Sequence, residues 1–140
     1  MIFAFATDDN KNFINRHFGD AKFYQIYKIT QNDYRQIASI ENTTEEEEQH
    51  ADPKKAGGIV NLLQSKDVTC AVSRVFGPNI KRINKKFACI IASSKDIPTQ
   101  ITTLQQNFDQ IQAAWHQGRI RKHVELLKLD KLKLTPFKII

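Results

Sequence analysis

The first third of the chain alternates between apolar and polar positions as β-strands do. A short apolar run covers residues 2–6, and alternation of period two covers residues 21–30 and 34–41. Residues 31–33 read Gln-Asn-Asp, which is the composition of a turn. We therefore expect three strands, the last two of which form a hairpin.

Helical spacing replaces this alternation after residue 52. Asp52 and Pro53 together signal a helix start, and apolar residues then recur every three or four positions up to Leu63. Further along, apolar runs and turn residues alternate again. The remaining predicted elements are strands at residues 68–72 and 87–92, a short helix at residues 78–84 and a long helix from Pro98 to the stop at Gly118.

The order of these elements, β-β-β-α-β-α-β-α, decides the fold class. The connections between the first three strands are too short for parallel crossovers, so those strands should be antiparallel. The later strands follow helices, which requires parallel pairing and right-handed crossovers. We expect an α/β fold with a mixed five-stranded sheet, strand order 3-2-1-4-5, strands 1–3 antiparallel, and helices on its faces.

Composition places the chain among ordinary globular proteins. It has 140 residues, of which 41% are hydrophobic and 26% are charged, as expected for one domain with a hydrophobic core. No apolar run approaches the roughly 18 residues of a membrane span, and the N-terminus does not resemble a signal peptide. The two cysteines are far apart and form no disulfide framework, so a cytoplasmic location is expected.

The formal net charge of +6 is unevenly distributed along the chain. Residues 45–48 are four consecutive glutamates, whereas residues 119–140 are rich in lysine and arginine interleaved with leucine. This basic segment either docks on the domain or contacts a partner, a second copy of the chain in a homodimer, or a nucleic acid. Few aromatic residues accompany its charges, which argues against base stacking and makes nucleic-acid binding the weaker alternative.

Topology alone locates a candidate site. In an open α/β sheet, ligands bind beyond the carboxyl ends of the strands where the strand order reverses, here between strands 1 and 4. Residues 7–17 and 73–79 should meet there, and the second loop opens a helix whose free amides suit an anion. The candidate residues are Asp8, Asp9, His17, Arg74, Gly77 and Asn79.

Four segments resemble one known family. They are His-Phe-Gly-Asp-Ala at residues 17–21 before an aromatic strand, Glu41-Asn42 followed by His50, the Gly58-to-Val68 spacing, and Gly77-Pro78-Asn79 followed by Phe87. Their order and spacing resemble the dinitrogenase iron–molybdenum cofactor biosynthesis family over residues 2–118. The resemblance implies a ribonuclease-H-like three-layer α/β/α domain at residues 1–118, similar to nitrogenase accessory factors, with residues 119–140 as a basic C-terminal extension.

The resemblance also implies non-catalytic binding or carriage of an iron–sulfur or iron–molybdenum-type cluster. His17 and His50 are the candidate metal ligands, because imidazole is a suitable donor to iron. Two cysteines cannot supply the four thiolates of a cluster site. Cys70 and Cys89 are therefore expected to be small buried residues. Cofactor binding would then be transient and would involve a donor or acceptor protein.

A metal-dependent nuclease is the catalytic alternative. Asp8 and Asp9 end the first strand, a suitable place for metal-binding carboxylates, but two-metal chemistry needs further acids nearby. The fourth strand ends in Ser73-Arg74, and the first helix has no acid between Lys54 and Lys66. No catalytic triad, phosphate-binding glycine loop or zinc pattern occurs, so we do not expect an enzyme.

Overall fold

The computed structural model of the chain describes residues 1–43 and 53–125, with side chains omitted for residues 53–57. Its strands are β1 (Ile2–Thr7), β2 (Phe23–Ile29), β3 (Tyr34–Glu41), β4 (Cys70–Ser73), β5 (Ala88–Ile91) and β6 (Val124–Glu125). Its helices are α1 (Pro53–Gln64), α2 (Ile80–Ile83), α3 (Ile97–Gln106) and α4 (Phe108–His116), with single 3-10 turns at Phe18–Asp20 and Gly118–Ile120.

All six strands form one mixed sheet with the order β3-β2-β1-β4-β5-β6. β1 is antiparallel to β2, which is antiparallel to β3, whereas β4 is parallel to both β1 and β5. The predicted order of the first five strands and their directions are therefore confirmed. The strand order reverses between β1 and β4, as the short first connections and the later helical crossovers require.

The prediction of five strands is wrong, because β6 adds a sixth at the edge of the sheet. Val124 pairs with Ile90 and Glu125 pairs with Ile91, in parallel. A strand of two residues is too short to produce an alternating pattern, so periodicity does not reveal it. The sheet thus continues past Gly118, and the domain boundary at residue 118 remains a prediction.

The helix predicted from Pro98 to Gly118 is divided into α3 and α4 at Asn107. This residue is buried, and its side-chain Nδ2 donates to the carbonyl oxygen of Thr103 at 2.9 Å. Its φ of −114° and ψ of 23° leave the helical region. The apolar stripe crosses the break, which explains why the pattern predicts one helix. In the described part of the chain, no helix is long and apolar enough to cross a bilayer.

The sheet has a hydrophobic core on each face. Ala4 and Ala6 of β1 face the core that contains Ile59 and Leu63 of α1. Phe3 and Phe5 of the same strand face the core that contains buried residues of α3 and α4. This alternation along β1 places helices on both faces, in three layers, and leaves the carboxyl ends of β1 and β4 free to carry loops.

Candidate functional site

The loop after β1 is folded around the carboxylate of Asp9. Its Oδ1 accepts the backbone N–H groups of Asn12 at 2.7 Å and Lys11 at 2.9 Å, and its Oδ2 accepts Nδ2 of Asn12 at 3.0 Å. The backbone N–H of Asn12 contributes most to holding the pKa of Asp9 far below its usual range. Asp9 therefore shapes the loop, and both of its oxygens are already used.

Asp8 fastens the other end of the same loop. Its two oxygens accept both terminal nitrogens of the Arg16 guanidinium, at 2.8 and 3.1 Å, and Oδ1 also accepts the backbone N–H of Lys22 at 2.9 Å. Arg16 donates further to the carbonyl oxygen of Asp20 at 2.8 Å. The hydrogen bond from Arg16 is the main reason why the pKa of Asp8 is lowered. Asp8 thus connects the loop to the start of β2.

The lowered pKa gives this ion pair a predictable pH dependence. We expect Asp8→Asn to reduce the free energy of unfolding at pH 7 by about 1 kcal/mol, because the pair is partly exposed. Asp8 stabilises the fold fully above the ordinary carboxyl pKa of about 4, and this contribution is lost as pH falls through the lowered pKa of the folded state.

Urea unfolding at several pH values measures this effect, with Asp109→Asn as the control at an exposed carboxylate. The difference between wild type and Asp8→Asn should shrink below pH 4 or so. A difference that stays constant down to acid pH would contradict the structural role of Asp8.

His17 lies where the two predicted loops meet. It forms a parallel bridge with Val75 of the loop after β4, just before the 3-10 turn that begins with Phe18. Phe18 is fully buried and stacks on Phe76, with ring centroids 5.2 Å apart. The hydroxyl of Tyr24 donates to the carbonyl oxygen of Phe18 at 2.7 Å. These contacts fix the backbone on both sides of the His17 imidazole, which is half-buried.

The imidazole of His17 packs directly on the backbone of Gly77. A Cβ atom built at position 77 would lie 2.6 Å from Cε1 and Nδ1 of His17 and 2.7 Å from Cδ2. The φ of Gly77 is +70°, in the left-handed region that favours glycine. Only glycine therefore satisfies both the backbone conformation and the space that the imidazole occupies.

Arg74 and Asn79 complete the loop after β4. Nη1 of Arg74 donates to Oδ1 of Asn15 at 3.2 Å, a second connection between the two loops. Oδ1 of Asn79 accepts Nη1 of Arg82 at 3.0 Å, and its carbonyl oxygen accepts the N–H groups of Arg82 and Ile83. Asn79 is buried and holds the turn in shape.

The anion site predicted at the start of the second helix has little structural basis. The sequence predicts a helix over residues 78–84, whereas α2 covers only the four residues Ile80–Ile83. One turn of helix aligns few peptide dipoles, so its N-terminus attracts anions weakly. Positive charge near the site comes instead from the side chain of Arg74, because Arg16 is paired with Asp8.

The structure contains no enclosed metal site in the residues it describes. His50 lies outside those residues, and no group of three His, Cys, Asp or Glu side chains comes together within them. Cys70 and Cys89 are fully buried, as expected for small core residues. Burial raises the pKa of Cys70 to about 12 and also raises that of Cys89, so both remain thiols.

Few polar groups at the junction of the two loops could bind a ligand. Besides the imidazole, the hydroxyl of Ser73 at the end of β4 is fully buried and has no hydrogen-bond partner in the described residues. A pocket of about 280 Å³ opens beside the first loop. It is lined by Asp8, Asp9, Asn12, Phe13, Ile14, Asn15 and Arg16. The imidazole and the Arg74 guanidinium are the groups at this junction that suit an anionic ligand, whereas the ionised carboxylates of Asp8 and Asp9 give the pocket no preference for an anion.

Sequence patterns miss three features of this site. The partner of Asp8 is Arg16, eight residues later, and no local periodicity connects them. The Arg74–Asn15 bond joins loops 59 positions apart. The contact between His17 and Gly77 depends on how far each of the two loops extends beyond the edge of the sheet. The only signal for it in the sequence is a glycine placed in a turn.

Comparisons with known proteins agree with this architecture. The family model described as "Dinitrogenase iron-molybdenum cofactor" matches residues 1–107. A crystal structure from Methanocaldococcus jannaschii, provisionally described as a dinitrogenase, superposes with a TM-score of 0.56 at 21% sequence identity. The match covers 76% of this chain and 89% of that chain, and at this identity it shows a shared fold. No curated protein matches the chain.

Proposed function

Because this chain belongs to the dinitrogenase iron–molybdenum cofactor family, we propose that it is a non-catalytic carrier of an iron–molybdenum or iron–sulfur-type cofactor. The cofactor is cargo that the protein binds transiently and passes between a donor and an acceptor protein in the cytoplasm. The ribonuclease-H-like assignment of the fold is part of the same proposal, and the mixed sheet with helices on both faces is compatible with it.

The observation that supports this proposal most directly is the position of His17. Its imidazole lies at the carboxyl ends of β1 and β4, where the strand order reverses and open α/β sheets bind ligands. We propose that His17 ligates the cargo and that Arg74, beside it on the second loop, offsets the cargo's negative charge. Gly77 leaves the space for the imidazole.

The other candidate residues act through the shape of the loops. Asp8 and Asp9 are occupied by hydrogen bonds within the first loop, so we assign them positioning roles. Asn79 positions the second loop through its bonds to α2. His50 as a second ligand, and a homodimer formed through residues 119–140, remain predictions that involve residues outside the described part of the chain.

A metal-dependent nuclease finds no support. Among the described residues, the acids nearest the end of β1 are the two that serve the loop, and they form no cluster with other acids. Two-metal catalysis requires several free carboxylates that converge on the same place. Carriage by an imidazole needs none of them.

Substitution of His17 tests the proposed ligand. We expect His17→Ala to weaken binding of isolated iron–molybdenum cofactor at least about tenfold, the equivalent of about 1.4 kcal/mol, because residues 7–22 and 73–79 contain no other histidine. The measurement is an anaerobic titration, with iron and molybdenum counted after gel filtration. His116→Ala, at an exposed position on α4, is the matched control. Equal affinity of the His17 variant and wild type would count decisively against the proposal.

A further inference from the structure

Basic side chains concentrate on one exposed part of the domain. No acidic residue occurs between Asp67 and Asp96, a stretch that contains α2. On and directly after α2, four cationic side chains follow one another within a few residues, and all are exposed. They are Lys81, Arg82, Lys85 and Lys86.

A second basic segment joins this one through Arg121. Nη1 of Arg121 donates to the carbonyl oxygen of Asn84 at 2.8 Å, so the turn at Gly118–Ile120 lies near the end of α2. The neighbours of Arg121 include Arg119 and Lys122, both exposed. We call the six cations of the two segments, together with Ile120, the basic surface.

Ile120 provides an exposed apolar side chain within this surface. Its exposed fraction is 85%, the highest of any large hydrophobic side chain in residues 1–43 and 53–125. None of the six cations forms an ion pair with a carboxylate of the described residues. Cations that have no carboxylate partner in the described part of the chain, near an exposed aliphatic side chain, are typical of surfaces that steer a partner electrostatically and then bury an apolar anchor.

We propose that the basic surface docks an acidic protein surface that has an apolar pocket for Ile120. The inference rests on the proposed function in one respect, since it takes the docked protein to be the donor or acceptor of the cargo. The loop that holds Gly77 leads directly into α2. Lys85, Lys86 and Arg121 precede the amino ends of β5 and β6, so most of the basic surface lies at the edge of the sheet opposite to His17.

The composition of the surface favours a protein over other anions. Single-stranded nucleic acid requires exposed aromatic rings for base stacking, but the guanidinium of Arg121 lies over the nearby Trp115 ring, 4.7 Å from its centroid. A membrane surface requires a larger apolar face than one isoleucine provides. A complementary acidic patch with a small pocket needs only the features that are present.

Charge reversal with polymer probes tests the docking surface. Fluorescent poly-L-glutamate should bind the wild-type protein at low salt, and Lys81→Glu/Lys85→Glu should weaken binding at least about tenfold. The control is Lys28→Glu/Arg35→Glu, which changes the net charge equally on β2 and β3, near the opposite edge of the sheet. Equal losses in the two variants would mean that only net charge matters, and would overturn the proposal.

A second probe tests the apolar anchor. Ile120→Ser should weaken binding of a glutamate–leucine copolymer and leave binding of poly-L-glutamate unchanged, whereas Ile37→Ser on β3 should affect neither. Loss of copolymer affinity in both variants, or in neither, would show that Ile120 is not the apolar anchor of the basic surface. Tighter binding to phosphatidylserine vesicles or to single-stranded RNA than to either polymer would assign the surface to a membrane or to nucleic acid instead.

The outcomes for docking and for cargo binding are separable. His17→Ala should lose affinity for the cofactor and keep its affinity for the polymers. The α2 variant, Lys81→Glu/Lys85→Glu, should lose affinity for the polymers and keep most of its affinity for the cofactor. If the α2 variant binds the polymers as wild type does while His17→Ala loses cofactor affinity, only the docking proposal is overturned. If His17→Ala binds cofactor as tightly as wild type while the α2 variant loses polymer affinity, the docking surface is supported and the carrier function is contradicted.

Discussion

Gly77→Ala is expected to displace the His17 imidazole and weaken cofactor binding about tenfold or more. The new methyl group would lie 2.6 Å from ring atoms, closer than packed atoms approach, so the imidazole must move. The left-handed backbone adds a cost of roughly 1–2 kcal/mol for any residue with a Cβ. We expect the free energy of unfolding to fall by about 2 kcal/mol in total.

The chain provides a matched control for this substitution. Gly118 has the same φ of +70°, but no described atom lies within 4 Å of the position that its Cβ would occupy. Gly118→Ala should therefore show the backbone strain alone, about 1 kcal/mol, and should bind cofactor normally. Urea unfolding and anaerobic titration of both variants separate the two effects. Equal behaviour of the two alanine variants would show that the contact between His17 and Gly77 is unimportant.

Arg121→Ala is expected to lower the free energy of unfolding by about 2–4 kcal/mol. The guanidinium is buried and donates to the carbonyl oxygens of Ala114 at 3.2 Å, Trp115 at 2.8 Å and Asn84 at 2.8 Å. The first two oxygens belong to the last turn of α4, where the backbone N–H of Gln117 is a further donor. Removing Arg121 takes one charged donor from each of these carbonyls and releases β6 from the ends of α2 and α4.

The neighbouring arginine serves as the control for Arg121. Arg119 is exposed, and Arg119→Ala should change the free energy of unfolding by no more than about 0.5 kcal/mol. Arg121→Lys should recover only part of the stability, because a single ammonium cannot match the geometry of a planar guanidinium. Denaturant unfolding of the three variants measures these differences. A loss below about 1 kcal/mol for Arg121→Ala would contradict its role in joining α2, α4 and β6.

The sheet could be predicted because its signals are local. Alternation in residues 21–30 and 34–41 marks β2 and β3, and the short turn between them forces an antiparallel hairpin. Helical crossovers then fix β4 and β5 as parallel strands. The sixth strand escaped prediction because β6 is held by Arg121 and by its pairing with β5, and not by a pattern of its own.

The meeting of the two loops could be predicted from the sequence, but the contacts between them could not. Topology places the two loops at the same edge of the sheet, and the bridge between His17 and Val75 confirms that they meet. The chemistry of Asp8 could not be inferred from its position, because its engagement depends on whether Arg16 can reach it. A carboxylate at the end of a strand looks the same in a sequence whether it binds metal or an arginine.

Spectroscopy of loaded protein tests most directly whether His17 ligates the cargo. The protein would be labelled with ¹⁵N-histidine, loaded anaerobically with isolated iron–molybdenum cofactor and examined by pulsed electron paramagnetic resonance. A ¹⁵N coupling to the cluster should be present in wild type and His116→Ala and absent in His17→Ala. A coupling that persists without His17, or no coupling in loaded wild type, would contradict the site at the junction of the two loops.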